Sequence, residues 1–420
     1  MAFIAKSAPE CDAALAGPYS SIRALTEQLA APLTAEDQCI QSMPDASPVK
    51  WHRAHTTWFF ETLVLLPYAP WYRPYDARFH YLFNSYYEAL GARHPRPQRG
   101  LITRPTCDEV TRYRKHVDAA MLRLVSTDQT SEMRWACELG MQHEQQHQEL
   151  ILTDIKHAFW CNALYPAYAD CLRESEQSLP TLSWREFADG IYWIGSGTDG
   201  FAFDNEQPRH RVLLSPFRLA TRLVTCGEYL EFMKDNGYRR PELWLSDGWN
   251  FVQTHGIRAP EYWSEESGEW QLFTLGGMKP LRREEPVVHV SFYEADAYAR
   301  WCGKRLPTEF EWEAAATSEP VGGNLLDPAR LHPKPASGDR LAQIYGDAWE
   351  WTRSAYEPYP GFKPWDGVVA EYNGKFMCGQ MVLRGGSCVT PADHIRPGYR
   401  NFFPPSARWQ FSGIRLAEDA

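Results

Sequence analysis

Met141-Gln-His-Glu-Gln-Gln-His-Gln-Glu149 sets His143 and His147 four residues apart inside a long segment whose apolar residues recur at three and four. On a helix such a pair projects from one face toward one point, which is the spacing of two metal ligands. The bland reading is two solvated or core histidines on a long helix. A second segment weighs against it: Trp51-His-Arg-Ala-His-Thr-Thr-Trp-Phe-Phe-Glu61, at the start of another helix-patterned stretch. His52 and His55 are three apart, and only one of them can share a face with Trp51, Trp58, Phe59 and Leu65; by that periodicity His55 is the inward one. Four-helix bundles hold metals with inward side chains of facing helices, so His55, His143 and His147 form an expected three-nitrogen site with open positions. Three neutral imidazoles suit iron, copper, nickel or zinc alike, and spacing leaves the metal undecided.

The chain changes texture near residue 180. Before it, helices are expected at about 18–32, 46–66, 108–126 and 131–160, separated by Pro67, Pro70, Pro95, Pro97 and Pro105. After it come short β-like runs such as Gly190-Ile-Tyr-Trp-Ile-Gly195, many Gly, Pro and Trp, and two clear helical stretches near 226–235 and 292–302. The expected fold is therefore α+β: a bundle over residues 1–180 that carries the metal ligands, then a loop-rich domain over 181–420. A length of 420 residues accommodates two such cores. The net charge of −10 argues against nonspecific nucleic-acid binding, so no nucleic-acid partner is expected. Neither a basic start followed by an apolar run nor a stretch of about 18 apolar residues occurs, so no membrane partner is expected either. The ten cysteines include no C-x-x-C pair, which fits a reducing cytoplasm.

Trp51-x-x-Ala-His55-Thr-Thr-Trp-Phe-Phe-Glu61, Phe83-Asn-Ser-Tyr-Tyr-Glu88 and His143-Glu-Gln-Gln-His147, in that order, resemble the DinB-like bundle of the nonheme-iron sulfoxide synthases of ergothioneine biosynthesis. The second half resembles their other domain, a C-type-lectin-like fold similar to the formylglycine-generating enzymes. Its marks are Phe203-Asp-Asn-Glu206, Leu243-Trp-Leu-Ser-Asp-Gly-Trp249, Gly303-Lys-Arg-Leu-Pro-Thr-Glu309, Trp349-Glu-Trp351, Leu383-Arg-Gly-Gly-Ser387 and Tyr399-Arg-Asn-Phe-Phe403. The resemblance implies Fe(2+) held by His55, His143 and His147. It also implies dioxygen-dependent joining of a thiol to the imidazole C2 of hercynine, trimethylated histidine, with release of a sulfoxide.

Further roles follow from it. Gln146 is a family position on the hercynine side, and Asn401 with Phe402 corresponds to the pair that meets the trimethylammonium group, a cation suited to aromatic faces and amide oxygens. One branch of the family has an acidic residue after that pair, for the amino group of γ-glutamylcysteine; Phe403 stands there and points to a smaller donor such as cysteine. The donor carboxylate needs a cation, and Arg93-His-Pro-Arg-Pro-Gln-Arg99-Gly-Leu-Ile-Thr-Arg104 is the densest local supply, with Arg99 and Arg104 as candidates. A phenol near the metal would supply a proton: Tyr87 or Tyr86, whose side chains on a helix or turn would point about 100° apart, with Tyr372 from the other domain as a third candidate.

Other readings compete. His143-Glu-x-x-His147 is also the H-E-x-x-H pattern of zinc peptidases, with Glu144 as general base and Glu174 or Glu176 as third ligand. That reading leaves His55 and the whole second domain without a role. Leu383-Arg-Gly-Gly-Ser387 lacks the lysine and the strand-to-helix setting of a phosphate loop, and Cys378 and Cys388 do not map onto a redox pair. Within the enzyme class a selenosugar could replace the thiol, as in the related selenoneine synthases. A noncatalytic binding protein of the same fold is opposed by the intact histidines.

Overall fold

A computed structural model describes residues 15–127, 130–171, 179–338 and 340–420, which fold into two compact units. The first comprises the chain up to Leu164 together with Thr198–Phe201 and Pro364–Tyr372. Its frame is α1 (Ala16–Ala30), α2 (Val49–Phe60), α5 (Cys107–Val125) and α6 (Ser131–Trp160). A π turn at Glu61–Leu65 continues α2 into α3 (Leu66–Tyr68), and α4 (Phe79–Phe83) lies in the connection that follows. Thr106 caps α5 through Glu109, each side chain satisfying the other residue's backbone N–H. Thr130 accepts from Met133 N at the start of α6.

The second rod is the centre of this unit. All twelve residues of α2 are buried, so it has no solvent face, and α5 and α6 both lie against it. Gly140 lets α6 come close: a Cβ there would stand 2.5 Å from Phe60 Cε1. A helix-interior glycine costs about 1 kcal/mol relative to alanine; here it brings the histidine faces of α2 and α6 together.

The second unit comprises Tyr165–Gly197, Ala202–Lys363 and Asn373–Ala420. Four small sheets carry it. β1 (Trp184–Phe187), β4 (Phe217–Ala220) and β12 (Ala417–Asp419) form one, with β4 central and both pairings antiparallel. β10 (Asn401–Phe403), β9 (Met381–Arg384), β8 (Trp349–Ala355) and β11 (Ser412–Gly413) form another in that order. β2 (Gly190–Ile194) pairs with β3 (His210–Leu214), and β5 (Trp263–Glu266), β6 (Glu269–Thr274) and β7 (Gly277–Pro280) make a meander. Helices α7 (Cys226–Lys234) and α9 (Phe292–Trp301) match the two expected stretches. The expectation of only two is corrected by α8 (Ser246–His255) and α10 (Glu309–Ala316). The first contains Gly248 and ends in a polar turn, and the second is short, with three glutamates among its eight residues, so it shows no apolar stripe.

A loop-rich core must still satisfy its backbone carbonyls, and buried arginines do so. Arg415 pairs with Glu350 at 2.8 Å while donating to the carbonyls of Ala220 and Ala342. Arg384 pairs with Glu313 and donates to Gly398 and Tyr399. The glycines after Arg384 answer to sterics: Gly385 has φ +99°, and a Cβ there would lie 2.7 Å from the Ile344 carbonyl oxygen.

One buried group in this unit gives a pH-dependent prediction. Burial, opposed by hydrogen bonds from Lys334 N and Asn324, raises the Asp347 carboxyl to about 6. The native state therefore takes up this proton before the unfolded chain does, so the penalty is full above pH 6 and fades as pH falls toward about 4. Asp347→Asn keeps an acceptor and suits the left-handed backbone (φ 60°). It is expected to raise stability at pH 7.5 on the order of 2 kcal/mol and to have no stabilising effect at pH 4, as read by thermal melting at the two values.

Candidate metal centre

His55 from α2 and His143 and His147 from α6 are buried, each offering a ring nitrogen within 4.8 Å of the other two. Nε2 of His55 and Nε2 of His143 are 3.2 Å apart. Metal–nitrogen bonds of about 2.1 Å meeting near a right angle place two ligand atoms about 3 Å apart. Burial, then the neighbouring rings, holds His55 and His147 well below the ordinary imidazole range, and burial takes His143 to about 3. Three lone pairs converge with no protons to repel a cation, and the donor set fits a metal.

Each imidazole has its own support. Nδ1 of His55 donates to the Phe83 carbonyl at 2.6 Å, which leaves Nε2 as the lone pair. Its ring is sandwiched between two indoles of its own helix face, Trp51 at 4.4 Å and Trp58 at 5.5 Å, both near parallel. The His143 ring stacks on Phe59 at 4.2 Å, and its Nδ1 has no hydrogen-bond partner among the described residues. Nδ1 of His147 meets Nδ1 of His52 at 2.7 Å, and Nε2 of His52 meets Asp154 Oδ2 at 3.0 Å. This corrects the expectation that His52 faces away from the core: it is 2% exposed. A helix buried on every side has no outward face, so its periodicity could not separate His52 from His55. Asp154 was missed altogether, although it lies seven residues after His147, two turns along one stripe of α6.

Glu144 does not face a metal. Its carboxylate accepts from Arg23 at 2.8 Å, Arg114 at 3.0 Å and Thr26 at 2.6 Å, all buried. A carboxylate committed to two guanidiniums cannot serve as the general base of a peptidase, and removing it would strand two buried charges. Glu174 and Glu176 lie outside the described residues.

The tyrosines follow α4 in a loop rather than a helix. Asn84 ties this loop with both its amide groups to Tyr87, so the rings of Tyr86 and Tyr87 stack at 4.7 Å instead of pointing 100° apart. Tyr87 is 0% exposed and lies against Trp58 and Phe59, and burial raises its phenol well above the ordinary range. Tyr372, in sequence from the second half, belongs to the first unit. Its ring lies 6.0 Å from that of His143 and 6.3 Å from that of Tyr86, and its hydroxyl donates to Gln146 Oε1 at 2.6 Å. Beside it, Glu371 accepts from the backbone N–H groups of Glu88 and Ala89 at 3.2 and 2.9 Å, fastening the returning segment to the tyrosine loop.

The two arginines part company. Arg104 is exposed and donates to its neighbour's carbonyl. Arg99 is buried, its guanidinium 3.4 Å from the centre of the Trp51 ring, with hydrogen bonds to the hydroxyls of Ser47 and Ser85. Among the described residues it makes no ion pair, and its Nε has no partner. Burial, then Arg96 and Arg93, pushes it below the ordinary arginine range. In the second unit, Phe402 stacks on Tyr356 at 4.1 Å and near Phe376 at 5.8 Å, Asn401 Oδ1 accepts from Phe402 N, and Phe403 lies against Trp409. No disulfide joins Cys378, which is exposed, to Cys388, which is buried.

Residues 19–151 match the DinB superfamily, and residues 187–333 and 324–420 match the sulfatase-modifying factor enzyme 1-like domain. The hercynine oxygenase of Mycolicibacterium thermoresistibile is 30% identical over 362 residues, which cover 78% of either chain. This chain belongs to the hercynine oxygenase family. A hercynine oxygenase of Mycobacterium tuberculosis is 36% identical over 54% of this chain and 59% of its own length. Ergothioneine biosynthesis protein 1 of Schizosaccharomyces pombe is 31% identical over 57% of this chain and 29% of its own. Membership in the hercynine oxygenase family makes the protein an enzyme of the oxygenase, sulfoxide synthase type with a DinB bundle and a sulfatase-modifying-factor-like domain. Among the described residues no helix is long and apolar enough to cross a membrane.

Proposed function

We propose that the protein couples a small thiol, cysteine in preference to γ-glutamylcysteine, to C2 of hercynine, using ferrous iron at His55, His143 and His147 and dioxygen. The observation that carries the reading is the convergence of three buried, uncharged imidazoles in a chain of this family. In the balanced reaction the thiol S–H and the imidazole C2–H are lost and a C–S bond forms. One oxygen atom of dioxygen ends on sulfur and the other leaves as water. Bound iron supplies the redox change and the open positions such a reaction needs.

The chain's own residues prepare that chemistry. The Phe83 carbonyl and the Trp51 and Trp58 indoles hold the His55 ring. Arg99 is assigned to the donor carboxylate, since a buried guanidinium with only hydroxyl partners and an indole face retains unmet demand for an anion. Asn401 and Phe402 are assigned to the trimethylammonium group, Gln146 to the imidazole side of hercynine, and Tyr87 to proton delivery. Phe403, where a carboxylate would meet an amino group, supports cysteine as donor.

The test is anaerobic loading with ferrous ion, then oxygen and hercynine with cysteine, γ-glutamylcysteine or a selenosugar in separate tubes, products read by mass. Sulfoxide with cysteine is expected; product only with the selenosugar would move the assignment to selenoneine formation. Arg99→Met is expected to raise KM for the thiol about ten- to a hundredfold, the worth of one or two charged hydrogen bonds, with a smaller effect on kcat. Arg104→Ala should match the parent, and the reverse pattern would exchange their roles.

A further inference from the structure

We infer that Asp154 and His52 form a hydrogen-bond relay that selects the tautomer of His147 and so keeps its inner nitrogen free for metal; the inference rests on His147 being a ligand. The chain of contacts is continuous and buried: Asp154 Oδ2 to His52 Nε2 at 3.0 Å, then His52 Nδ1 to His147 Nδ1 at 2.7 Å. Ser47 N donates to the same Oδ2 at 2.8 Å and fixes the carboxylate's position. The relative exposures of Asp154, His52 and His147 are 5, 2 and 9%.

With the carboxylate ionised and both rings neutral, donor and acceptor roles follow by elimination along this chain. A carboxylate only accepts, so Nε2 of His52 carries a proton. In a neutral ring Nδ1 of His52 is then a lone pair, and the 2.7 Å contact needs a donor on the other side, which is Nδ1–H of His147. With its proton on Nδ1, His147 presents Nε2 as a lone pair toward His55 and His143. Orientation is fixed as well, because the His52 ring stands 5.0 Å from that of His147 and cannot rotate without losing both bonds. His55 achieves the same result with a backbone carbonyl; His147 depends on two side chains, which substitution can remove. His52 and Asp154 are thus positioning residues that act through His147. Groups that orient a ligating imidazole are generally worth ten- to a hundredfold in metal affinity.

The test uses the full chain and Co(II) alone, with affinity read by chelator competition and the Co(II) absorption bands. His52→Phe, which keeps ring shape without either bond, is expected to weaken Co(II) binding about ten- to a hundredfold. His52→Asn places an amide oxygen near the former Nδ1 and should recover most of that loss, a rescue that a merely space-filling role would not produce. Asp154→Asn keeps an oxygen acceptor and should stay near the parent, whereas Asp154→Leu should resemble His52→Phe. In the metal-free parent, nitrogen-15 shifts of the histidine rings should show His147 protonated at Nδ1. A folded His52→Phe protein with parental affinity, or a His147 protonated at Nε2, would overturn the relay. If His52→Phe does not fold, the ring-nitrogen shifts and the asparagine variants decide. His147→Ala separates the two layers: unchanged affinity there would sink the metal site itself, while loss there with an unaffected His52→Phe would sink only the relay.

Discussion

Alanine in place of His55, His143 or His147 is expected to lower bound iron from one equivalent to a trace and to abolish sulfoxide formation, while the circular dichroism of the fold is retained. The three rings are the only cluster of metal-binding type among the described residues. Two remaining imidazoles hold a divalent ion far less tightly than three, and Glu144 cannot replace the third, since it is held by Arg23 and Arg114. The loss should be nearly complete for each variant, in contrast to the partial loss expected at His52. Elemental analysis of the purified variants checks it. Full iron and turnover in His55→Ala, with both lost in His52→Ala, would reassign the third ligand to His52.

The second large effect is expected at Tyr87. Its buried phenol stays protonated at any working pH, because burial raises it well above the ordinary range and the phenols of Tyr86 and Tyr372 add to the shift. The raised value makes it a weaker acid than a free phenol, so its proton moves only as negative charge develops beside it. Tyr87→Phe should slow sulfoxide formation by a hundred- to ten-thousandfold, the span of general acid catalysis, and divert oxygen toward oxidation of the thiol. Tyr86→Phe should stay close to the parent, since its ring stacks on Tyr87. The ratio of coupled product to oxidised thiol is the measurement. If it is unchanged in both single variants and in the double variant, Tyr372, already hydrogen-bonded to Gln146, becomes the proton source.

How far the sequence was legible depended on how local each determinant is. Helices α5 and α6 were expected within a residue of their observed ends, because a Thr cap and a long apolar stripe are written in consecutive letters. The histidines of α6 were equally plain, since i and i+4 on one helix need no tertiary knowledge. The α2 face failed, since an amphipathic argument assumes a wet side that this helix lacks. The tyrosine geometry failed because Asn84 replaces a regular turn by side-chain hydrogen bonds to Tyr87. Arg99 and Arg104 were equivalent as letters; only burial beneath Trp51 separates them. The place of Asp154 on the His147 stripe was local, but its pairing with His52 spans 102 residues and was not.

The first unit is discontinuous along the gene. Tyr372 and Glu371 are encoded with the second half of the chain yet fold with the first. A cut or fusion joint near residue 180 would therefore divide one folding unit between two polypeptides, leaving the bundle without the phenol on Gln146 and without the carboxylate on residues 88 and 89. The two halves consequently do not behave as interchangeable modules. A bundle recombined with a foreign partner would recover these contacts only if that partner brought its own equivalent of Pro364–Tyr372.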